Sequence, residues 1–265
     1  LLDYLSFKKI AGELAGINLE NYKSQQMDRR IHSLMNAWKI EDYDQFLTVL
    51  KTDPRKYLEF EKKLTINVSE FFRNPERFAE LQTTIIPLLA AERRNFTIWS
   101  AGCSNGAEPY SVAIILRELG LESRARLLAS DVDRMILAQA ERAVYSPNEV
   151  KNLPPEMLAK YFSPEGEHYR LAVEIKRMVE FGHQDLLRDP FETDLDLIIC
   201  RNVVIYFTET AKGLLYGKFL AALRPGGFLL VGGTEPLLNY RQMGYESYMP
   251  SFYRKPALEE RSEAR

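Results

Sequence analysis

Apolar residues in the first quarter of the chain recur at helical spacing. Met27, Ile31, Leu34, Met35 and Trp38 fall on one face of a helix, and Tyr43, Phe46, Leu47 and Leu50 repeat the pattern. Asp53-Pro54 should end the second helix, because a residue before proline is pushed out of the helical region. No strand pattern occurs before about residue 75, so a small all-helical N-terminal domain is expected over 1–75.

The period changes after about residue 95. Strands are expected at Phe96–Ser100, at Arg126–Ser130 running into Asp131, at Met178–Phe181, at Leu195–Cys200 and at Phe228–Val231. Leu195–Cys200 is nearly all apolar and reads as a buried central strand. Helices are expected from about Ala107 to Leu119, from after Asp131 to about Arg142, and over Thr210–Leu223, with Pro225-Gly226-Gly227 closing the last. Strands alternating with helices imply a parallel α/β sheet with crossover helices. Between Tyr161 and Gly182 the alternation breaks around the turn signal Pro164-Glu165-Gly166, and a small antiparallel insertion is expected at about 162–183. The segment through Tyr248 and Phe252-Tyr253-Arg254 reads as antiparallel edge strands.

Composition narrows the function. The 265 residues are 46% hydrophobic and 27% charged with a net charge of −2, which is ordinary for a globular protein and gives no basic field for nucleic acid. No apolar run approaches a membrane span, and the chain opens at Leu1 without a signal-like leader, so a cytoplasmic protein is expected. Two cysteines, Cys103 and Cys200, make a disulfide scaffold implausible, and they lie at the ends of strands expected to be neighbours. His32, His168 and His183 have no metal-ligand spacing with them, so no metal is expected.

Candidate chemistry sits at the strand ends. The first strand runs into Ala101-Gly102-Cys103-Ser104-Asn105-Gly106, and the second ends at Asp131. Glycines there let the backbone approach a ligand, and a strand-end acid can accept hydrogen bonds from both ribose hydroxyls, which points to an adenosine-containing cofactor. The glycines do not fit G-x-G-x-x-G and no Walker loop is present. The plainer alternative is two turn glycines and a helix N-cap at Asp131.

Five blocks in order resemble the chemotaxis receptor methyltransferases (CheR). They are Asn67-Val68-Ser69-Glu70-Phe71-Phe72-Arg73; Trp99-Ser100-Ala101-Gly102 leading to Glu108-Pro109-Tyr110-Ser111; Ala129-Ser130-Asp131; Gln184-Asp185-Leu186-Leu187; and Cys200-Arg201-Asn202-Val203-Val204-Ile205-Tyr206-Phe207. The resemblance implies a class I (Rossmann-like) methyltransferase sheet with helices on both faces over 76–265, behind a helical N-terminal domain and carrying a three-stranded insertion. It implies S-adenosyl-L-methionine as methyl donor, S-adenosyl-L-homocysteine as product, and glutamate side chains of chemotaxis receptors as acceptors. Cofactor contacts are implied at Asn67, Ser69, Arg73, Glu108, Asp131, Asp185, Leu186, Asn202 and Val203. Ser69 stands where a threonine is usual and keeps the hydroxyl; Asp185 stands where some relatives have asparagine.

Methyl transfer from a sulfonium to a carboxylate needs alignment and partial desolvation rather than a base, since glutamate with a pKa near ~4.3 is already ionised. Arg73 and Tyr206 are the candidates for holding that carboxylate, and the resemblance supports both. Phe71, Phe72, Tyr110 and Phe207 read as core or pocket wall, and Arg201 as a possible structural ion-pair partner. Between Asn21 and Ile40 four basic residues, Lys23, Arg29, Arg30 and Lys39, face one acid, Asp28, a local charge of +3. Tyr22, Gln25, Gln26, Arg29, Ser33 and Asn36 cover the face opposite the apolar stripe, with Arg30 on its flank. Lys23, Arg29 and Arg30 are therefore the expected receptor-binding residues, on a monomer recruited to membrane receptor arrays; a solvated helix face is the alternative. A methyltransferase of small molecules or nucleic acid would not need the helical domain, and no Asn-Pro-Pro-Tyr motif for base methylation is present. A cofactor-gated binding module would not need a carboxylate clamp.

Overall fold

The computed structural model of the chain describes residues 2–64 and 69–257, apart from the Gln26 side chain. The chain divides into two compact units: Leu1–Asn67 with Val203–Leu214, and Val68–Asn202 with Leu215–Arg265.

The first unit contains α1 (Tyr4–Ala15), α2 (Ser24–Trp38), α3 (Tyr43–Thr52) and α4 (Pro54–Leu64). The expected stripe on α2 is buried at Met27, Ile31, Leu34 and Met35, while Trp38 is half-buried and stacks on Phe46 with ring centroids 5.0 Å apart. Asp53-Pro54 ends α3 as its sequence dictates, and the Asp53 carboxylate then accepts from the N–H groups of Arg55 and Lys56 at 2.9 and 3.2 Å, capping α4. Phe7, Phe46 and Phe60 are fully buried at the centre of this unit.

The second unit opens with α5 (Pro75–Glu80), which passes through a π turn at Leu81–Ile85 into α6 (Ile86–Glu92). Pro87 has no N–H to give to Thr83, and the wider turn absorbs that mismatch. Then follow β1 (Phe96–Ala101), α7 (Ala107–Glu118), β2 (Ala125–Asp131), α8 (Arg134–Arg142), β3 (Val144–Tyr145), α9 (Pro155–Tyr161), β4 (Phe162–Glu165), β5 (His168–Leu171), α10 (Val173–Lys176), β6 (Val179–His183) and β7 (Leu195–Cys200). After a 3₁₀ turn at Val204–Tyr206 come α11 (Glu209–Ala222), β8 (Leu223–Val231), β9 (Glu246–Met249) and β10 (Phe252–Arg254).

Seven strands form one sheet in the order β6-β2-β1-β7-β8-β10-β9, parallel from β6 to β8 and antiparallel at β10 and β9. This is the Rossmann-like sheet that the resemblance implies. All six residues of β7 are buried, as a central strand requires. Helix α7 is buried nearly all round, from Tyr110 through Val112, Ile114, Ile115 and Leu116, because it packs on β1, β2 and β6. Pro225-Gly226-Gly227 does not stop the chain between elements. It lies inside β8, where the pairing register with β7 slips.

The small antiparallel sheet has the order β3-β5-β4. Its third strand is Val144–Tyr145, two residues with too little pattern to read in sequence, whereas β6 belongs to the large sheet. Helices α9 and α10 were not expected; at seven and four residues they are too short to show a period.

Candidate functional site

The strand order reverses between β1 and β7, and in open α/β sheets ligands bind in the crevice beyond the carboxyl ends at such a point. Four of the candidate residues of the second unit lie at or just beyond those ends. Asp131 ends β2, Asp185 and Leu186 follow β6, and Asn202 follows β7. Glu108 is in the first turn of α7, and Ser69 and Arg73 lie on the segment entering α5. Asn67 lies outside the described residues.

Asp131 is 9% exposed, and its carboxylate accepts from the N–H of Ser104 at 2.8 Å and of Asp133 at 3.0 Å. It is not the N-cap of α8. That role belongs to Asp133, which accepts from Met135 and Ile136 at 2.8 and 3.1 Å. Asp131 therefore fixes the β1–α7 turn, and its two oxygens still have lone pairs to offer a ligand. Burial pushes its carboxyl above the usual range. Gly106 has φ +84°, and a Cβ there would lie 2.9 Å from Ala140 Cβ. Close packing thus demands the glycine as much as a ligand would.

Glu108 accepts from Ser100 Oγ at 2.8 Å and pairs with Arg201 at 3.4 Å. Burial raises its pKa, with Arg201 opposing. Arg201 is 7% exposed and also donates to the carbonyl of Arg73 at 2.8 Å and to Asn74 Oδ1 at 2.7 Å, over the Phe78 ring. One buried guanidinium thus joins the Glu108 carboxylate to the turn that carries Arg73, so Arg201 is an ion-pair partner within the site. Arg73 itself is half-buried.

Beyond β6 the loop is held from three sides. Trp99 Nε1 donates to Ser130 Oγ and Ser130 Oγ to Gln184 Oε1, both at 2.9 Å. Leu187 N–H donates to the Asp185 carboxylate at 2.9 Å. Lys218 on α11 donates to the carbonyls of Leu186 and Asp189 at 2.7 and 2.8 Å, with its ammonium 4.0 Å from the Phe191 ring centroid. Asn202, at φ +58°, donates its N–H to Glu235 at 2.6 Å. A Cβ at Gly232 would sit 2.2 Å from that Glu235 oxygen, so the glycine makes room for the carboxylate. Ser130, Lys218 and Glu235 were not read from the sequence. Lys218 and Glu235 come from distant elements and fit no local motif.

In the first unit, Val203 precedes the 3₁₀ turn that ends at Tyr206, and Tyr206 is half-buried. Of the three basic candidates on and before α2, Arg29 is exposed while Lys23 and Arg30 are half-buried. Arg30 donates to the carbonyl of Leu64 at 2.5 Å. Phe71, Phe72, Tyr110 and Phe207 are buried, as wall or core residues should be. Cys103 and Cys200 are free and buried at the ends of neighbouring strands, and burial pushes both thiols well above the ordinary range, which leaves them inert.

The crevice suits an adenosine-bearing ligand whose tail carries an ammonium group. It offers the carboxylates of Asp131 and Glu108, a braced loop beyond β6, and a buried Ser104 hydroxyl that has no partner among the described residues. Among those residues no cluster of His, Cys, Asp and Glu could hold a metal ion, and no helix is long and apolar enough to cross a membrane.

Residues 67–251 match the model of the CheR methyltransferase SAM-binding domain, and residues 2–65 that of the CheR all-alpha domain. A chemotaxis protein methyltransferase of Listeria innocua is 38% identical over 96% of this chain and 97% of its own length. That of Salmonella typhimurium is 33% identical over 85% of this chain and 80% of its own. A solved glycopeptide N-methyltransferase complexed with S-adenosyl-L-methionine is similar at 13% identity and a TM-score of 0.39, over 62% of this chain and 54% of the other. Two family models that run along the chain in order, with relatives matching it almost end to end, agree with the strand-end site: this chain belongs to the CheR methyltransferase family.

Proposed function

We propose that this S-adenosyl-L-methionine-dependent chemotaxis protein methyltransferase esterifies glutamate side chains on the cytoplasmic helices of chemotaxis receptors during sensory adaptation. It acts in the cytoplasm as a monomer recruited to receptor arrays. The helices within residues 1–75 serve recognition, while the end of that segment, with Asn67, Ser69 and Arg73, joins residues 76–265 and their insertion at about 162–183 in cofactor binding and catalysis. The observation that carries the reading is the buried Arg201, which ties the Arg73 turn to Glu108. With its backbone carbonyl held by Arg201, Arg73 starts from a fixed turn, and its guanidinium fork is suited to presenting a carboxylate to the methyl donor.

Bound S-adenosyl-L-methionine supplies a methyl group already activated by the sulfonium charge. Asp131 holds the ribose hydroxyls, Glu108 the ammonium of the methionyl end, and Asp185 with Leu186 the adenine. Asn67, Ser69, Arg73, Asn202 and Val203 complete the cofactor contacts. Arg73 and Tyr206 orient the substrate carboxylate, which needs no base because it is ionised at neutral pH. The hold must stay partial, since a tight clamp would stabilise the ground state.

Kinetics of Tyr206→Phe and Arg73→Ala test the roles. Tyr206→Phe should lower turnover by roughly 10²-fold and leave S-adenosyl-L-homocysteine affinity unchanged, whereas Arg73→Ala should weaken both. Normal turnover of Tyr206→Phe on a receptor fragment would remove the hydroxyl from the mechanism.

A further inference from the structure

Tyr206 closes a short 3₁₀ turn, an element with few hydrogen bonds of its own. Its backbone is secured by the segment leading into α2. Lys23 N–H donates to the Tyr206 carbonyl at 2.9 Å, and Thr208 N–H to the Asn21 carbonyl at 2.8 Å. Tyr22 and Phe207 form an antiparallel bridge, with their rings edge to face at 5.1 Å. These bonds fix the main chain at 206–208.

Arg30 bears on the Tyr206 side chain. Its guanidinium carbon lies 5.2 Å from the centroid of the Tyr206 ring, over the face. Its Nη1 is anchored on the carbonyl of Leu64, the last residue of α4, where a helix leaves carbonyls without intrahelical donors. A guanidinium tethered at one edge and stacked at its face is a rigid support for an aromatic ring. Half-buried in this way, Arg30 differs from its neighbour Arg29, which is exposed.

We infer that Arg30 is a positioning residue for Tyr206, holding the ring so that its hydroxyl meets the substrate carboxylate in one orientation, rather than a direct receptor contact. This rests on the assignment of Tyr206 to carboxylate alignment. The helical unit then has a part in the chemical step as well as in recognition, because Arg30, Leu64 and Tyr206 all belong to it.

The test is a kinetic cycle with Arg30→Met, Arg30→Lys, Tyr206→Phe and the Arg30→Met/Tyr206→Phe double variant. It uses a soluble cytoplasmic receptor fragment at saturating S-adenosyl-L-methionine, with thermal melting as a check on folding. Arg30→Met should lower kcat by on the order of tenfold with little change in receptor KM, and Arg30→Lys should recover part of the loss. The double variant should be no slower than Tyr206→Phe alone, because Arg30 acts only through the Tyr206 hydroxyl that the phenylalanine already lacks. A raised KM with unchanged kcat in Arg30→Met or Arg30→Lys would make Arg30 a docking residue and overturn the inference. So would losses that multiply in the double variant. If Tyr206→Phe alone turns over normally, the assignment of Tyr206 falls first and the inference with it.

Discussion

The backbone N–H of Ser104 donates a 2.8 Å hydrogen bond to the carboxylate of Asp131. The acid at the end of β2 thereby holds the turn after β1, and it does so from the same side chain proposed to hold ribose. Two functions on one carboxylate predict two losses. Asp131→Ala should weaken S-adenosyl-L-homocysteine binding by about 2–4 kcal/mol, the scale of two charge-assisted hydrogen bonds. It should also lower folding stability by about 1–3 kcal/mol, because Ser104 and Asp133 lose their acceptor. Calorimetry reads the first and denaturant unfolding the second. Full stability with lost binding would show that the turn does not depend on Asp131.

Glu108 carries a pH prediction. The charged and titratable groups around it are Arg201, Glu235, Cys103 and Cys200, with the Ser100 hydroxyl hydrogen-bonded. Burial raises its pKa and Arg201 pulls it back. A carboxylate raised in this way binds its proton more tightly folded than unfolded. Its ionised form therefore costs stability as pH rises from the ordinary carboxylate range through the raised value. Ligand binding runs the other way, since the ammonium of the methionyl end, which Glu108 is proposed to hold, needs the ionised acid. S-adenosyl-L-homocysteine affinity should fall as pH is lowered into that raised range. In Arg201→Met the falling limb should move to higher pH. A limb that stays where it is would separate Arg201 from the electrostatics of Glu108.

Gly106 predicts a packing effect. Gly106→Ala places a methyl 2.9 Å from Ala140 Cβ and 3.0 Å from the Tyr110 ring at φ +84°. The substitution should destabilise the protein by about 1–3 kcal/mol, read as a lower thermal midpoint. An unchanged midpoint would mean that α7 and α8 can part at little cost.

Arg29 and Arg30 should separate. Arg29→Glu reverses an exposed charge and should raise receptor KM, with a weaker dependence on salt and no change in kcat. A wild-type KM at low salt would exclude this face of α2 from docking.

Much of the fold was legible because α2 carries a 3.6-residue period and β1, β2 and β7 are short apolar or β-rich runs between turn signals. The two-residue β3 and four-residue α10 carry no period, so the small sheet could be expected but not composed. Pro225-Gly226-Gly227 reads locally as a stop, yet its neighbours in β7 keep it within the sheet. At the site, the motif blocks pointed to Glu108, Asp131 and Asn202. Lys218, which braces the loop at Leu186, and Glu235, which braces Asn202, are set by tertiary contacts that sequence spacing does not carry. Arg30 looked like a surface charge for the same reason: its partners Leu64 and Tyr206 are 34 and 176 positions away.

The central claim is methyl-ester formation on receptor glutamates. The direct measurement incubates the purified protein with S-adenosyl-L-methionine labelled in its methyl group and a receptor cytoplasmic fragment, then raises the pH to hydrolyse esters. Label should enter the fragment, leave it as volatile methanol on base treatment, and fail to enter a fragment whose candidate glutamates are replaced by alanine. Label that is stable to base, or that enters the alanine-substituted fragment equally, would contradict the assignment.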